Sequence, residues 1–280
     1  MSGLIQPLAV ALPVLYLAAA VLHGMAFGGV RAPHVATPRI WLLRLTLLAH
    51  VLWFAALGSA LRSFPVVDLP TTLSAIVLGS ACLYAFLARS VRHAGSGGVV
   101  LGLAALLQLC ASAAVQLQPE PRLGPPTAAL GAPQILHVGL SVIATTSLLL
   151  SGVHGALYLV LLRSMKRRSF GPLFEHLPDL ELLAHMTRRA ALVGFVCLTV
   201  GMNLGIWLAH RDQRPGFAYR DAEVLLSILV WIYFGVIAFS ARIRGFSARR
   251  ASLAAALGLA VLLLSSLLVF FPGLAFHSSL

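Results

Sequence analysis

The sequence predicts an all-α, polytopic integral membrane protein of about eight transmembrane helices, N-out and C-out, and three observations carry that expectation. Hydrophobic residues make up 59% of the 280 and mean hydropathy is +0.93. Charged residues are only 10%, against roughly 25% in soluble domains. The basic residues also fall unevenly on alternate links. Apolar stretches this long suit a bilayer, where a helix takes about 20 mostly apolar residues because every buried amide must bond within its own segment.

Eight such stretches follow one another: Ile5–Gly29, Ile40–Ala60, Thr72–Phe86, Val99–Leu117, Ile135–Leu162, Ala190–Ala209, Val224–Ser240 and Leu253–Phe271. The first has no basic residue before Arg31 and an apolar run too long for a signal core, so it is expected as a span rather than a cleaved leader. The third is the shortest and has room to extend at either end. Links such as His93–Gly98 and Pro119–Pro126 are rich in Gly or Pro and read as turns. Pro178-Asp-Leu-Glu-Leu-Leu183 reads as the start of a short interfacial helix, with acids in its first turn. No repeat of fixed period is visible, and residues 1–280 are expected as a single transmembrane domain.

Of the 20 basic residues, 15 fall on one set of alternate links or helix ends, from Arg31 and Arg39 to Arg249 and Arg250. Only Arg62, Arg122, Arg211, Arg214 and Arg220 fall on the other. Basic loops stay in the cytoplasm, so the asymmetry puts both termini outside in a bacterial cytoplasmic (inner) membrane. It also accounts for the net charge of +12 as topology and contact with membrane lipid; no nucleic-acid partner is implied.

Cys82, Cys110 and Cys197 lie apart in apolar stretches, without a Cys-x-x-Cys or Cys-x-x-Cys-His motif, and read as small buried hydrophobes. Neither a nucleophile elbow, a His-Glu-x-x-His pair nor a phosphate-binding glycine loop is present, so the chain is not expected to be an enzyme. Gly201 and Gly205 have the spacing of close helix packing.

Ten histidines remain, and an imidazole within hydrocarbon needs a partner or a purpose. His137 opens the fifth span and His277 follows the eighth, both on the outer side. As neutral imidazoles at one depth they suit the two axial positions of a haem iron; they equally suit interfacial hydrogen bonding to headgroups or water. His50, His154 and His23 lie within spans. Two of these could hold a buried b-type haem, or each could bond a neighbouring hydroxyl or carbonyl as helix-packing polar residues do.

The order of short motifs in the second half carries a resemblance. Leu136-His-Val-Gly-Leu-Ser141 is followed by Leu177-Pro-Asp-Leu-Glu181, Gly194-Phe195, Gly205-Ile-Trp207, Leu226-Ser-Ile-Leu-Val-Trp231 and the turn Arg244–Arg250. Over about residues 134–280 the chain resembles the cytochrome c assembly protein family, membrane proteins that handle haem for cytochrome c maturation, and most closely its HemX-type members. The resemblance implies haem b held without a covalent bond on the outer face, with His137 and His277 as ligands to the iron. It also implies a tryptophan beside the site at Trp207, and other cytochrome c assembly proteins as partners. The segment between these points departs from the family pattern. His210–Glu223 has lost the tryptophans and keeps Phe217 and Tyr219 as its only aromatics, with Arg211, Arg214 and Arg220 available to propionates. This thinner stacking surface suits a weak, transient or regulatory haem contact. The function expected is a haem-handling accessory of cytochrome c biogenesis; the alternative is a cofactor-free HemX-type scaffold or regulator.

Overall fold

The structure is a computed structural model, and it describes residues 2–27, 33–66, 68–87, 96–117, 131–168, 171, 174, 177–211 and 222–267. Among them, eight α-helices succeed one another and no strand occurs. They are α1 (Ile5–Phe27), α2 (Pro33–Leu61), α3 (Leu69–Leu87), α4 (Gly97–Leu117), α5 (Ala132–Lys166), α6 (Leu180–Arg211), α7 (Ala222–Ala238) and α8 (Ala248–Leu267). Each of the eight expected stretches overlaps one of these helices. The first six are long and apolar enough to cross a membrane, while α7 is a shorter apolar helix.

Two boundaries differ from the sequence expectation in an instructive way. The segment read as a short interfacial helix is the first part of α6, which runs unbroken for 32 residues from Leu180. Hydropathy stops at Ala190 because Glu181, His185, Arg188 and Arg189 precede it. The backbone meets no Gly or Pro there, and Leu183, Ala184, Thr187 and Ala191 bury one face, so the helix continues. Likewise α5 reaches Lys166, with Arg163 and Lys166 in its last turn, where cations suit the helix dipole.

The helices group into two compact units. The first comprises Met1–Ala129, Val160–Asp179 and Ala260–Leu280; the second comprises Leu130–Leu159 and Leu180–Leu259. In the first unit, α1 shows how a membrane helix is sorted without polarity. Ala9, Leu12, Tyr16 and Ala19 are almost wholly buried along one face, while Val10, Val14, Leu17 and Val21 are more than half exposed on the other. Both faces are apolar, because lipid is as good a solvent for Val as the bundle is, so small residues and shape decide which face packs. The α2–α3 connection is set by a reciprocal cap: Thr71 N–H donates to Asp68 Oδ1 at 2.9 Å, and Asp68 N–H donates to Thr71 Oγ1 at 3.2 Å.

In the second unit, Leu148, Ala191, Phe234, Ile237 and Ala255 bring α5, α6, α7 and α8 to one core. Glycines allow the close approaches. A Cβ on Gly155 would stand 2.6 Å from Ser252 O and 3.0 Å from Ala255 Cβ, and one on Gly194 would stand 2.6 Å from Leu148 Cδ2. Pairs along α5 and α6 step in opposite directions (Leu148 with Gly194, Ser141 with Gly201, His137 with Gly205), so the head of α5 lies beside the tail of α6. The return from α7 to α8 turns at Gly245, whose φ of +77° disfavours any residue with a Cβ.

Candidate functional site

The head of α5 places His137 about one and a half turns into the helix, half-buried against α6. Its Nδ1 lies 2.8 Å from the carbonyl oxygen of Gly201. A carbonyl only accepts, so Nδ1 carries the proton and donates, and in the neutral ring the lone pair is then on Nε2. The ring rests on Gly205, one turn further along α6, where a Cβ would stand 2.6 Å from His137 Cε1. Ser141, one turn below, turns its hydroxyl onto His137 O at 2.9 Å. Near the same end of α6, Trp207 is 50% exposed, and the Arg211 guanidinium lies 5.0 Å from its ring centroid, within cation–π range.

Of the residues expected to surround haem, His137 and Trp207 are therefore both at this end of the second unit. His277, Arg214, Tyr219 and Arg220 lie outside the described residues. The structure adds to the sequence reading of three residues. Gly201 and Gly205, whose spacing reads as helix packing, also meet the His137 ring, and Arg211, which reads as a cation for propionates, covers Trp207. The signal for the last was the i, i+4 spacing of Trp207 and Arg211.

The first unit contains a second constellation. His50 of α2 is completely buried, and both ring nitrogens face hydroxyls: Nδ1 is 2.8 Å from Tyr16 Oη of α1, and Nε2 is 2.9 Å from Ser74 Oγ of α3. Ser74 donates to Gln108 Oε1 of α4 at 2.9 Å, and Gln108 Nε2 donates to Ser112 Oγ at 3.2 Å. A serine hydroxyl has one proton, so Ser74 must accept from His50 Nε2–H, and His50 Nδ1 must accept from Tyr16. Donation thus runs one way through four helices, from Tyr16 to Ser112. Phe54 stacks on the His50 ring, with centroids 5.3 Å apart and planes 5° from parallel, and Trp53 meets it edge-on.

His23 lies on the same buried face of α1, with Nδ1 2.8 Å from Ala19 O and Tyr84 edge-on to its ring. Seven residues separate it from Tyr16, about 10 Å along the helix axis, so His23 and His50 occupy different levels of the first unit. His154, also buried, belongs to the second unit. Among the described residues no three His, Cys, Asp or Glu side chains gather as a metal site. Of the cysteines only Cys110 is buried; Cys82 is exposed and Cys197 half-buried. The expectation of three buried thiols is corrected by the apolar outer surface of these helices, which accepts a thiol as readily as the core does.

Six long apolar helices, one imidazole seated on a backbone carbonyl and another sealed in a polar chain between apolar helices define a multi-pass membrane protein with histidines bonded across its helices. The chain belongs to the cytochrome c assembly family: the family's sequence model, described as "Cytochrome C assembly protein", matches residues 38–277. That match begins in α2 and so takes in His50, α3 and α4, well before residue 134 where the short motifs begin. The chain is also similar to the "Cytochrome c biogenesis protein CcsA" of Prochlorococcus marinus (strain MIT 9515), at 30% identity over 105 residues. This covers 38% of the chain and 32% of that protein, so the chain spans about a third of the length of its curated relative. No solved structure matches. Family and helices together make this a multi-pass protein of the bacterial inner membrane, among the proteins of cytochrome c assembly.

Proposed function

We propose that this protein is a non-enzymatic, haem-handling accessory of cytochrome c biogenesis, binding haem b without covalent attachment on the outer face of the membrane. Its eight helices act as one membrane-embedded domain with both termini outside, and its partners are lipid, haem and other cytochrome c assembly proteins. His137 and His277 would ligate the iron. Trp207 and Tyr219 would offer aromatic faces to the porphyrin, and Arg214 and Arg220 cations to its propionates. Bound there, haem would supply an iron centre that takes two neutral nitrogen ligands.

The observation that carries the reading is the hydrogen bond from His137 Nδ1 to Gly201 O. Metal-bound histidines commonly donate their other ring N–H to a carbonyl or carboxylate, which fixes the tautomer and makes the ligating nitrogen more basic. His137 already has that partner. An imidazole held in this way suits haem iron, and family membership supplies the context.

A second reading, a cofactor-free HemX-type scaffold or regulator of haem biosynthesis or cytochrome maturation, is favoured by the absence of tryptophan from His210–Glu223. Absorption spectra of the detergent-purified protein, oxidised and reduced, separate the two. A Soret band with low-spin visible bands, weakened in both His137→Ala and His277→Ala, is the expected result. A band that survives both changes moves the site to His50, His154 or His23. No band after haem is supplied leaves the scaffold.

A further inference from the structure

The seat of His137 is built from two glycines that do different jobs. At Gly201 the backbone oxygen is used, and a Cβ there would meet Leu140 Cβ at 3.4 Å and Ser141 Oγ at 3.7 Å, ordinary contact distances. At Gly205 it is the missing side chain that matters. A Cβ would fall 2.6 Å from His137 Cε1, 3.1 Å from Nδ1 and 3.4 Å from Nε2, inside the volume the imidazole occupies. The two positions are one helical turn apart, so one face of α6 offers both an acceptor for Nδ1–H and a notch for the ring's Cε1 edge. Helix packing alone would account for the notch. It does not require the ring that fills it to be an imidazole, nor its proton to sit on Nδ1.

We infer that the Gly201 carbonyl and the bare Gly205 backbone form a positioning seat, which holds His137 as the Nδ1–H tautomer in one orientation and so makes it an Nε2 ligand before any haem arrives. This rests on the reading of His137 as an axial ligand, and it adds residues that touch neither iron nor porphyrin. The physical basis is preorganisation: a neutral imidazole in water samples both tautomers and several rotamers, and each must otherwise be selected at the moment of binding. A methyl on Gly205 would push the ring off the notch and break its alignment with Gly201 O. The lone pair would then be spread over two nitrogens and several directions.

The test begins without haem. The full-length protein, labelled with ¹⁵N in its histidine rings, is studied in detergent micelles, and the His137 signals are assigned by their loss in His137→Ala. Wild type is expected to show a protonated Nδ1 and an unprotonated Nε2 in a single slow-exchanging form. Gly205→Ala is expected to show the averaged signals of tautomers in exchange, whereas Gly139→Ala, where a Cβ meets nothing within 4 Å, keeps the wild-type pattern. A wild-type His137 protonated on Nε2, or already averaged between tautomers, overturns the seat, and this decides the matter even if Gly205→Ala does not accumulate. Unchanged His137 signals in Gly205→Ala overturn it as well.

Haem is then added. A seat that preorganises a ligand predicts about tenfold weaker haem retention in Gly205→Ala, with loss of low-spin character, and no change in Gly139→Ala. If wild type shows the Nδ1–H form yet takes up no haem, the axial-ligand reading fails while the seat stands.

Discussion

Changing Tyr16 to Phe removes one hydroxyl and almost no volume, which makes the one-way chain through His50 accessible to a double-mutant cycle. Both ends of the Tyr16–His50 bond are completely buried. Hydrogen bonds between membrane helices contribute about 0.6 kcal/mol on average and up to about 1.7. A buried acceptor left bare adds to the loss, so Tyr16→Phe should destabilise by about 1–2 kcal/mol. His50→Leu removes two bonds and should cost about 2–4 kcal/mol. In His50→Leu, Ser74 keeps its donated bond to Gln108 and loses only one that it accepts. Tyr16 loses the acceptor of its only proton. In the His50→Leu background Tyr16 is therefore a stranded polar group, and replacing it by Phe should be neutral or stabilising. The coupling energy is then about 1–2 kcal/mol, nearly the whole single effect of Tyr16→Phe. The four proteins would be compared by SDS-induced unfolding in mixed micelles, followed by circular dichroism. Additivity to within about 0.5 kcal/mol would refute the directed chain and reduce it to independent polar contacts.

Other outcomes follow from the same geometry. Gly155→Ala should destabilise by about 1–3 kcal/mol, because its Cβ meets the Ser252 carbonyl at 2.6 Å; Gly139→Ala on the same helix should be neutral or stabilising by up to about 1 kcal/mol. Equal effects in a thermal-unfolding comparison would contradict the packing argument. Trp231→Phe keeps the stack on Phe195 but loses the Nε1–H bond to Thr199 at 2.6 Å, and a loss of about 1 kcal/mol is expected in the same assay. Reporter fusions after Arg167 and after His277 should report opposite sides of the membrane. Finding both on one side would overturn the even number of spans.

The helices were legible because membrane folding leaves so little freedom: a long apolar run with amides to satisfy has to be helical. What hydropathy could not reveal was where a helix continues past its apolar part, as α6 does through Arg188 and Arg189. Each member of the polar chain was visible as a single polar residue in an apolar span. Their pairing was not, since Tyr16 and His50 are 34 residues apart and Ser74 and Gln108 another 34. The seat of His137 was hidden for the same reason, with 64 residues between the ring and its acceptor. Spacing alone reads Gly201 and Gly205 as packing residues, which their close contacts agree with; packing and positioning ask for the same small residues one turn apart. What separates the two roles is the identity of the side chain that fills the notch.

The two histidine environments differ in what a ligand would have to displace. His50 has each ring nitrogen committed, one donating to Ser74 and one accepting from Tyr16, so an iron approaching Nδ1 must first break the Tyr16 bond and strand its hydroxyl in the bundle. That loss, about 1–3 kcal/mol for an unsatisfied buried hydroxyl, sets the threshold for any haem contact at His50. Among the described residues His137 meets no such threshold on Nε2, because its bond to Gly201 uses the nitrogen that iron does not need. The same element, a neutral imidazole bonded across helices, is thus closed in the first unit and open in the second. In our reading, haem goes to the histidine whose hydrogen bond prepares the ring and not to the one whose hydrogen bonds complete it. Tyr16→Phe would lower the barrier at His50. Gain of a haem signal that survives His137→Ala in that background would locate a latent second site in the polar chain, while its absence would leave the chain with a purely structural role.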